Sequence, residues 1–192
     1  MFLQKSIIAI IPARLRSQRL KLKNIMMFKG KPLFIWALVS ALKSKYIDDV
    51  FLTTDSEQII KIAKKFGYST GFLRNAKLSK SNTKSKDVII DALKNLKKKY
   101  DFFIYLQPTS PLRTVYDIDS SIKKIIRTNY DSLISVVDFK KKPNGAIYIC
   151  NTKLFLKLKN FKTKRIFYYN MPKIRSVDID YIKDFQTAQR IG

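Results

Sequence analysis

The sequence predicts an α/β protein built on a mostly parallel sheet with helices on both faces. Three observations carry this reading. Short uninterrupted apolar runs alternate with segments of helical period from end to end, turn residues separate them, and polar residues of unusual type gather just after the apolar runs. "SIIAIIPA" (6–13) reads as a buried strand, and "KPLFIWALVSALKSKYI" (31–47) as a helix with Pro32 at its start. "DVFLTTD" (49–55) reads as a second strand, followed by the helix "SEQIIKIAKKFG", which ends at Gly67. The order then repeats. In "DVIIDALKNLKKK" (87–99), Val88, Ala92 and Leu96 fall on one helical stripe, and "DFFIYLQPTSP" follows as strand and loop. A helix at about 117–128, the strands "SLISVV" and "AIYIC", an extended segment to "SVDID" and a last helix complete the prediction.

A chain of 192 residues can bury one sizeable core, and no repeat, linker or low-complexity stretch divides it, so residues 1–192 are read as one domain. No apolar stretch is long enough to cross a bilayer. The N-terminal "MFLQKSIIAIIPAR" places its cations after the apolar run, unlike a secretory signal, which predicts a cytoplasmic protein with no membrane partner. The single cysteine, Cys150, excludes an internal disulfide and reads as a small buried hydrophobe. Absence of histidine removes the commonest acid–base residue and the usual zinc ligand. The formal charge is +25, from 39 basic and 14 acidic residues, which raises nucleic-acid binding as an alternative. The surplus is mostly lysine spread over helix faces, in a blend rich in Ile, Asn, Phe and Tyr that resembles the codon bias of an AT-rich genome. It therefore discriminates little, and no specific nucleic-acid partner is expected.

In open α/β sheets ligands bind beyond the carboxyl ends of the strands, so the loops there should hold the chemistry. After the first strand comes "RLRSQRLKLKN", with Arg14, Arg16, Ser17, Arg19, Lys21, Lys23 and Asn24 around one short loop. Guanidinium forks, an ammonium and backbone N–H groups suit a polyphosphate, and a solvated basic loop is the alternative. Neither G-x-G-x-x-G nor G-x-x-x-x-G-K-[ST] occurs, so any nucleotide is held by another frame. In "DID", Asp178 and Asp180 point one way along an extended segment and Ile179 the other, and two hard oxygen ligands at this spacing can share a magnesium ion. A rival reading makes Asp180 the N-cap of the last helix. Lys173 and Arg175, just ahead of the pair, would also suit an anionic ligand. "LQPTSPLR" (106–113) sets Thr109 and Ser110 between two prolines, with Gln107 and Arg113 at its ends; it suits a polyhydroxylated acid or, more plainly, a capped turn.

Taken together, "IIPARLRSQRLKLKN", "GKPLFIWALVSAL", "TTDSEQI", "FLRNAKLSKSNTKS", "LQPTSPLRTVYDID", "NGAIYI" and "SVDID" resemble the acylneuraminate cytidylyltransferases, the CMP-sialic acid synthetases and their relatives that activate other nine-carbon acidic sugars. They span nearly the whole chain in the family's order. The resemblance implies a Rossmann-like nucleotidyltransferase sheet and transfer of CMP from CTP to the anomeric hydroxyl of a sialic-acid-like sugar, with release of pyrophosphate. It implies that Arg14 and Lys23 hold phosphates and the leaving group with Ser17 and Asn24 beside them, and that Thr83 and Ser85 serve the nucleotide. Asp178 and Asp180 would position magnesium, and Gln107, supported by Thr109 and Ser110, would face the sugar. Three features depart from the pattern. The first loop lacks the family's usual glycine and carries Arg19 and Lys21 where less charged residues are usual, and Asn82 replaces an aspartate. "SVVDFKKKPNGAIYI" also shortens, near 138–143, an excursion that in the family reaches across a homodimer and supplies sugar-binding residues. Lys140 to Lys142 could partly substitute by offering cations to the sugar's carboxylate, with a solvated basic turn as the alternative. A relative with another sugar or nucleotide specificity, and a catalytically weak nucleotide-binding homologue, are the alternatives this leaves.

Overall fold

The computed structural model describes residues 1–68, 71–137 and 142–192. Its elements in chain order are β1 (Ile7–Ala13), β2 (Met27–Phe28), β3 (Lys31–Pro32), α1 (Leu33–Leu42), β4 (Asp49–Thr54), α2 (Glu57–Lys65), β5 (Gly71–Leu73), α3 (Ser85–Lys94) and β6 (Phe102–Tyr105). These are followed by α4 (Val115–Arg127), β7 (Ser132–Val137), β8 (Pro143–Asn151), α5 (Thr152–Leu158), β9 (Ile166–Met171) and α6 (Ile182–Ile191). One seven-stranded sheet runs in the order β5-β4-β1-β6-β8-β7-β9, and β2 pairs with β3 in a separate hairpin. Every pairing in the large sheet is parallel except those of β8, which runs antiparallel to both β6 and β7. The expected architecture is therefore present, with one reversed strand inside it.

Side-chain alternation along β1 shows why both faces need helices. Ile7, Ala9, Ile11 and Ala13 pack on one face with Phe34 and Leu38 of α1, Ile59 of α2 and Ile122 of α4. Ile8 and Ile10 pack on the other with Ile89 of α3 and Phe155 of α5. A third cluster joins Phe28, Leu33, Ile179, Phe185 and Ala188, fastening α6 and the segment before it beside the first loop. Among the described residues no helix is long and apolar enough to cross a membrane.

Several element boundaries differ from expectation. Helix α1 ends at Leu42, and Tyr46 and Ile47, which extend its periodic pattern, pack against the core from the turn that feeds β4. Helix α3 begins at Ser85 and stops at Lys94, and Leu96, expected on its stripe, packs against the core from beyond the helix end. Between Cys150 and "SVDID" the chain is not simply extended. It forms α5, whose lysine-interrupted two turns bury only Thr152 and Phe155, and then β9 beside β7. Cys150 is buried, as expected, and burial pushes its thiol pKa up to about 12. Residues 138–142 separate β7 from β8; the expectation concerning Lys140 and Lys141 lies outside the described residues, while Lys142 is exposed.

Candidate active site

The carboxyl ends of β1, β5 and β6, with the start of α3 and the segment entering α6, surround a cleft of about 270 Å³. The loop after β1 is folded over it by two side-chain bonds to backbone. Leu15 N donates to Asp55 Oδ1 (2.8 Å), tying the loop to the end of β4, and Asn24 Nδ2 donates to the Arg14 carbonyl (2.7 Å). Leu22 takes φ +53°, a left-handed conformation that disfavours residues with a side chain, immediately before the turn Lys23–Ile25. Lys23 is buried beyond that kink, and its Nζ donates to the Ile179 carbonyl (2.5 Å) and to Asp180 Oδ1 (3.0 Å).

The cations of this loop are sorted by the fold. Arg14, Lys23, Ser17 and Asn24 line the cleft, whereas Arg16 and Lys21 are exposed outside its lining. Arg19 pairs with Asp180 and lies over the Tyr181 ring. The opposite wall brings a residue that the sequence reading left without a role. Arg74 lines the cleft while almost wholly buried, donating through Nη1 to the Thr53 carbonyl (2.7 Å) and through Nε to Ser79 Oγ (2.9 Å). Burial draws its pKa down, and the Asp55 carboxylate opposes this. Arg14 donates to the Lys80 carbonyl (3.1 Å), closing the cleft from that side. Thr83 and Ser85 also line it, beside apolar walls from Pro12, Leu78 and Val88 and the buried Tyr105, whose phenol burial pushes up to about 12.

The "DID" segment keeps the expected alternation. Ile179 is fully buried among Phe28, Leu33 and Phe185, and both Asp178 and Asp180 line the cleft. The alternative N-cap role for Asp180 is overturned: the Asp184 carboxylate accepts from Asp180 N (3.0 Å) and Tyr181 N (2.8 Å) and supplies the cap itself. Arg175 is likewise not free to meet an anionic ligand, since its guanidinium is bonded to Asp117. Asp178 is exposed toward the cleft, with Thr109 and the Gly145 backbone against its other side. That partial desolvation raises its pKa, a hydrogen bond from Thr109 opposes the rise, and the Asp180 charge adds to it.

On the far side Gln107 and Thr109 line the cleft, and the Thr109 carbonyl accepts from Ile179 N (2.8 Å). Ser110 does not join them: its side chain is fully buried, away from the lining, with its hydroxyl unpartnered. Two further residues shape this side. Arg113 is buried with Nη1 directed at the Gln107 carbonyl (3.3 Å) and the Ala146 carbonyl (2.8 Å), and loss of hydration draws its pKa down to about 10. Gly145 sits at φ +80°, where a Cβ would lie 2.9 Å from Gln107 Oε1 and 3.1 Å from Asp178 Oδ2. The strings holding both residues stand out in the sequence, but their roles depend on which strand ends pack across from them.

Among the described residues no group of three or more His, Cys, Asp or Glu could hold a metal ion. An ion at Asp178 and Asp180 would thus have two carboxylate oxygens from the chain and the rest from ligand and water. That donor set fits magnesium, which keeps several waters and shares its coordination with phosphates.

Known proteins resemble the chain in sequence and in fold. A family model described as cytidylyltransferase matches residues 8–169. The N-acylneuraminate cytidylyltransferase of Escherichia coli O18:K1:H7 is 33% identical over 221 residues, covering 97% of this chain and 52% of that protein. The CMP-N,N'-diacetyllegionaminic acid synthase of Legionella pneumophila is 29% identical over 224 residues, covering 96% of this chain and 95% of that one. The chain thus spans about half the length of the E. coli relative and nearly all of the Legionella one. Both matches run over more positions than the chain has residues, so each relative carries additional residues inside the aligned span. In three dimensions the chain resembles a CMP:2-keto-3-deoxy-manno-octonic acid synthetase solved with CTP, with a TM-score of 0.78 at 13% identity over 97% of this chain and 98% of that one. At that identity the likeness speaks for the fold alone. With a family model covering most of the sequence and relatives of the same kind along its whole length, the chain belongs to the cytidylyltransferase family.

Proposed function

We propose that the chain transfers CMP from CTP to the anomeric hydroxyl of an acidic nine-carbon keto sugar and releases pyrophosphate. The observation that carries this reading is the meeting, in one cleft, of phosphate-type cations and a paired carboxylate: Arg14, Lys23 and Arg74 line it together with Asp178 and Asp180. The relatives named for sialic and legionaminic acids favour the sugar class. Arg14, Lys23, Arg74 and Lys80 hold the triphosphate, with Ser17 and Asn24 beside it. Thr83 and Ser85 take the nucleoside against Pro12, Leu78, Val88 and Tyr105, and Gln107 and Thr109 take the sugar. Asp178 and Asp180 hold a magnesium ion, which when bound supplies charge neutralisation at the α-phosphate and lowers the pKa of the attacking hydroxyl. For the rest, these residues align hydroxyl and phosphorus in a site whose donors are already in place. Lys23 joins the two groups: its ammonium donates to Asp180 and the Ile179 carbonyl and has a third N–H for a phosphate oxygen. CTP as donor implies a cytoplasmic place of action.

Pyrophosphate release, measured with each nucleoside triphosphate against a panel of nine-carbon sugar acids, tests the reading. Release with CTP and one class of sugar acid is expected. No release with any nucleotide, in the presence of divalent metal, would remove it.

A further inference from the structure

The segment that carries the two carboxylates leaves the sheet at Met171 and enters α6 only at Ile182. Between these points it forms one short turn, Lys173–Arg175, and no strand ladder. Its position is set by individual tethers instead. Ile179 N donates to the Thr109 carbonyl (2.8 Å), and Asn144 Nδ2 donates to Ser176 Oγ (2.9 Å). Lys23 Nζ donates to the Ile179 carbonyl (2.5 Å), and a further tether, nearer the sheet, is ionic. Asp117, fully buried in the first turn of α4, accepts from Thr114 N (3.0 Å) and Thr114 Oγ1 (2.7 Å). Arg175 adds a two-pronged contact, Nε to Oδ2 and Nη2 to Oδ1, both at 2.9 Å.

Helix α4 does not require that guanidinium, because Thr114 and Asp117 already form a complete reciprocal cap. Net stability does not explain it well either, since a carboxylate withdrawn from water is repaid poorly by its partner. What a planar fork does supply is a fixed distance and orientation. Asp178 stands three residues further on, about 10 Å along an extended chain, and neither Asp117 nor Arg175 reaches the cleft.

We infer that the Asp117–Arg175 pair is a positioning device for the carboxylate pair. It pins the turn ahead of Asp178 to α4 and so sets divalent-cation affinity, leaving nucleotide affinity to the first loop. The inference rests on the proposed role of Asp178 and Asp180 as metal ligands.

The test uses manganese as probe, titrated by electron paramagnetic resonance without nucleotide, and CTP binding by calorimetry in chelator, on the full chain. The variants are Arg175→Lys, Arg175→Gln and the double variant Arg175→Gln with Asp117→Asn, with Asp178→Asn as control. Manganese affinity should fall about tenfold or more in all three, as for partners that orient metal ligands, while CTP affinity stays within about twofold. The double variant should regain melting temperature lost in Arg175→Gln, because no carboxylate is left buried and unpaired, without regaining manganese affinity. Three results would overturn the inference: wild-type manganese affinity in folded variants, recovery of affinity together with melting temperature, or failure of every Arg175 variant to fold. If instead the wild type binds no manganese, or Asp178→Asn binds it equally well, the metal assignment itself falls and takes this inference with it.

Discussion

The two halves of the sheet build the cleft by different means. On the side of β1, β4 and β5, charged side chains are presented directly: Arg14, Lys23 and Arg74 line the cleft, each donating to a main-chain carbonyl, and Lys80 lines it beside them. On the side of β6, β8, β7 and β9, the cleft is shaped by backbone. Gly145 leaves room for Gln107 and Asp178, Arg113 spends its bonds on two main-chain carbonyls, and Asn144 serves Ser135, Ala146 and Ser176. One half supplies charge and the other supplies shape. Substitutions in the first should change affinity for the nucleotide, and substitutions in the second should misplace groups that remain chemically intact.

The largest effect is expected where the halves meet. Asp178→Asn or Asp180→Asn should abolish measurable turnover, and chelation followed by magnesium should stop and restore the wild type; full activity in either variant would sink the carboxylates' role. Stability should move the other way in Asp178→Asn. The folded protein raises the pKa of this carboxyl, so its anion is disfavoured by folding, and a neutral amide should melt slightly higher near pH 7. That gain should shrink as the pH falls below the folded-state pKa and be gone below the unfolded-state value, where the carboxyl is protonated in both states.

Next comes the charge-supplying half. Lys23→Ala should lower the rate by about 100-fold or more, as loss of a preorganised electrostatic group does, whereas Lys64→Ala on the exposed face of α2 should stay within about twofold. Equal losses would reduce the loop to part of a diffuse basic field. Raised salt should weaken both proteins alike through screening and cannot replace the comparison.

Gly145→Ala probes the shape-supplying half. The added methyl meets Gln107 and Asp178 and demands a left-handed backbone, so turnover should drop by about 10- to 100-fold with CTP affinity little changed. A parallel loss of CTP affinity would mean that the halves are not separable in this way.

The smallest expected effect lies at the β7–β8 connection. Residues 138–142 are too few to form an arm reaching a neighbouring subunit, at about 3.5 Å per extended residue. Sugar selectivity should therefore be broad, and light scattering should find a small dimer or none. A stable dimer with strict selectivity for one sugar would show that other segments perform both tasks.

How much of this was legible in the sequence follows the same division. Strands β1 and β6 were readable because a strand buried on both faces is an unbroken apolar run, and β4 from Val50–Leu52 followed by β-branched threonines. Arg14, Lys23 and Gln107 were readable because they lie in the loops that follow such runs, Asp178 from the alternation in "DID", and Thr83 through the family resemblance alone; all line the cleft. Helix α5 was not, since lysines interrupt its two turns and tertiary packing of Phe155 decides its conformation. Nor was Ser110, for nothing in "PTSP" tells which hydroxyl turns inward. Arg113, Gly145 and Arg175 are visible as residue types, but each acts on a partner more than thirty positions away, and pairings at that range are fixed only by the order of strands in the sheet.

Ile179 separates two carboxylates by one residue and is itself sealed among Phe28, Leu33 and Phe185. Substitution at the exposed positions around it leaves that alternation in place. Gain or loss of one residue just ahead of it does not, for the slip would turn an aspartate toward the apolar pocket and present isoleucine to the cleft. The stretch from Pro172 to Tyr181 can therefore drift in composition over evolutionary time while remaining fixed in length, and an alignment of divergent relatives should carry no gap between Arg175 and Asp180.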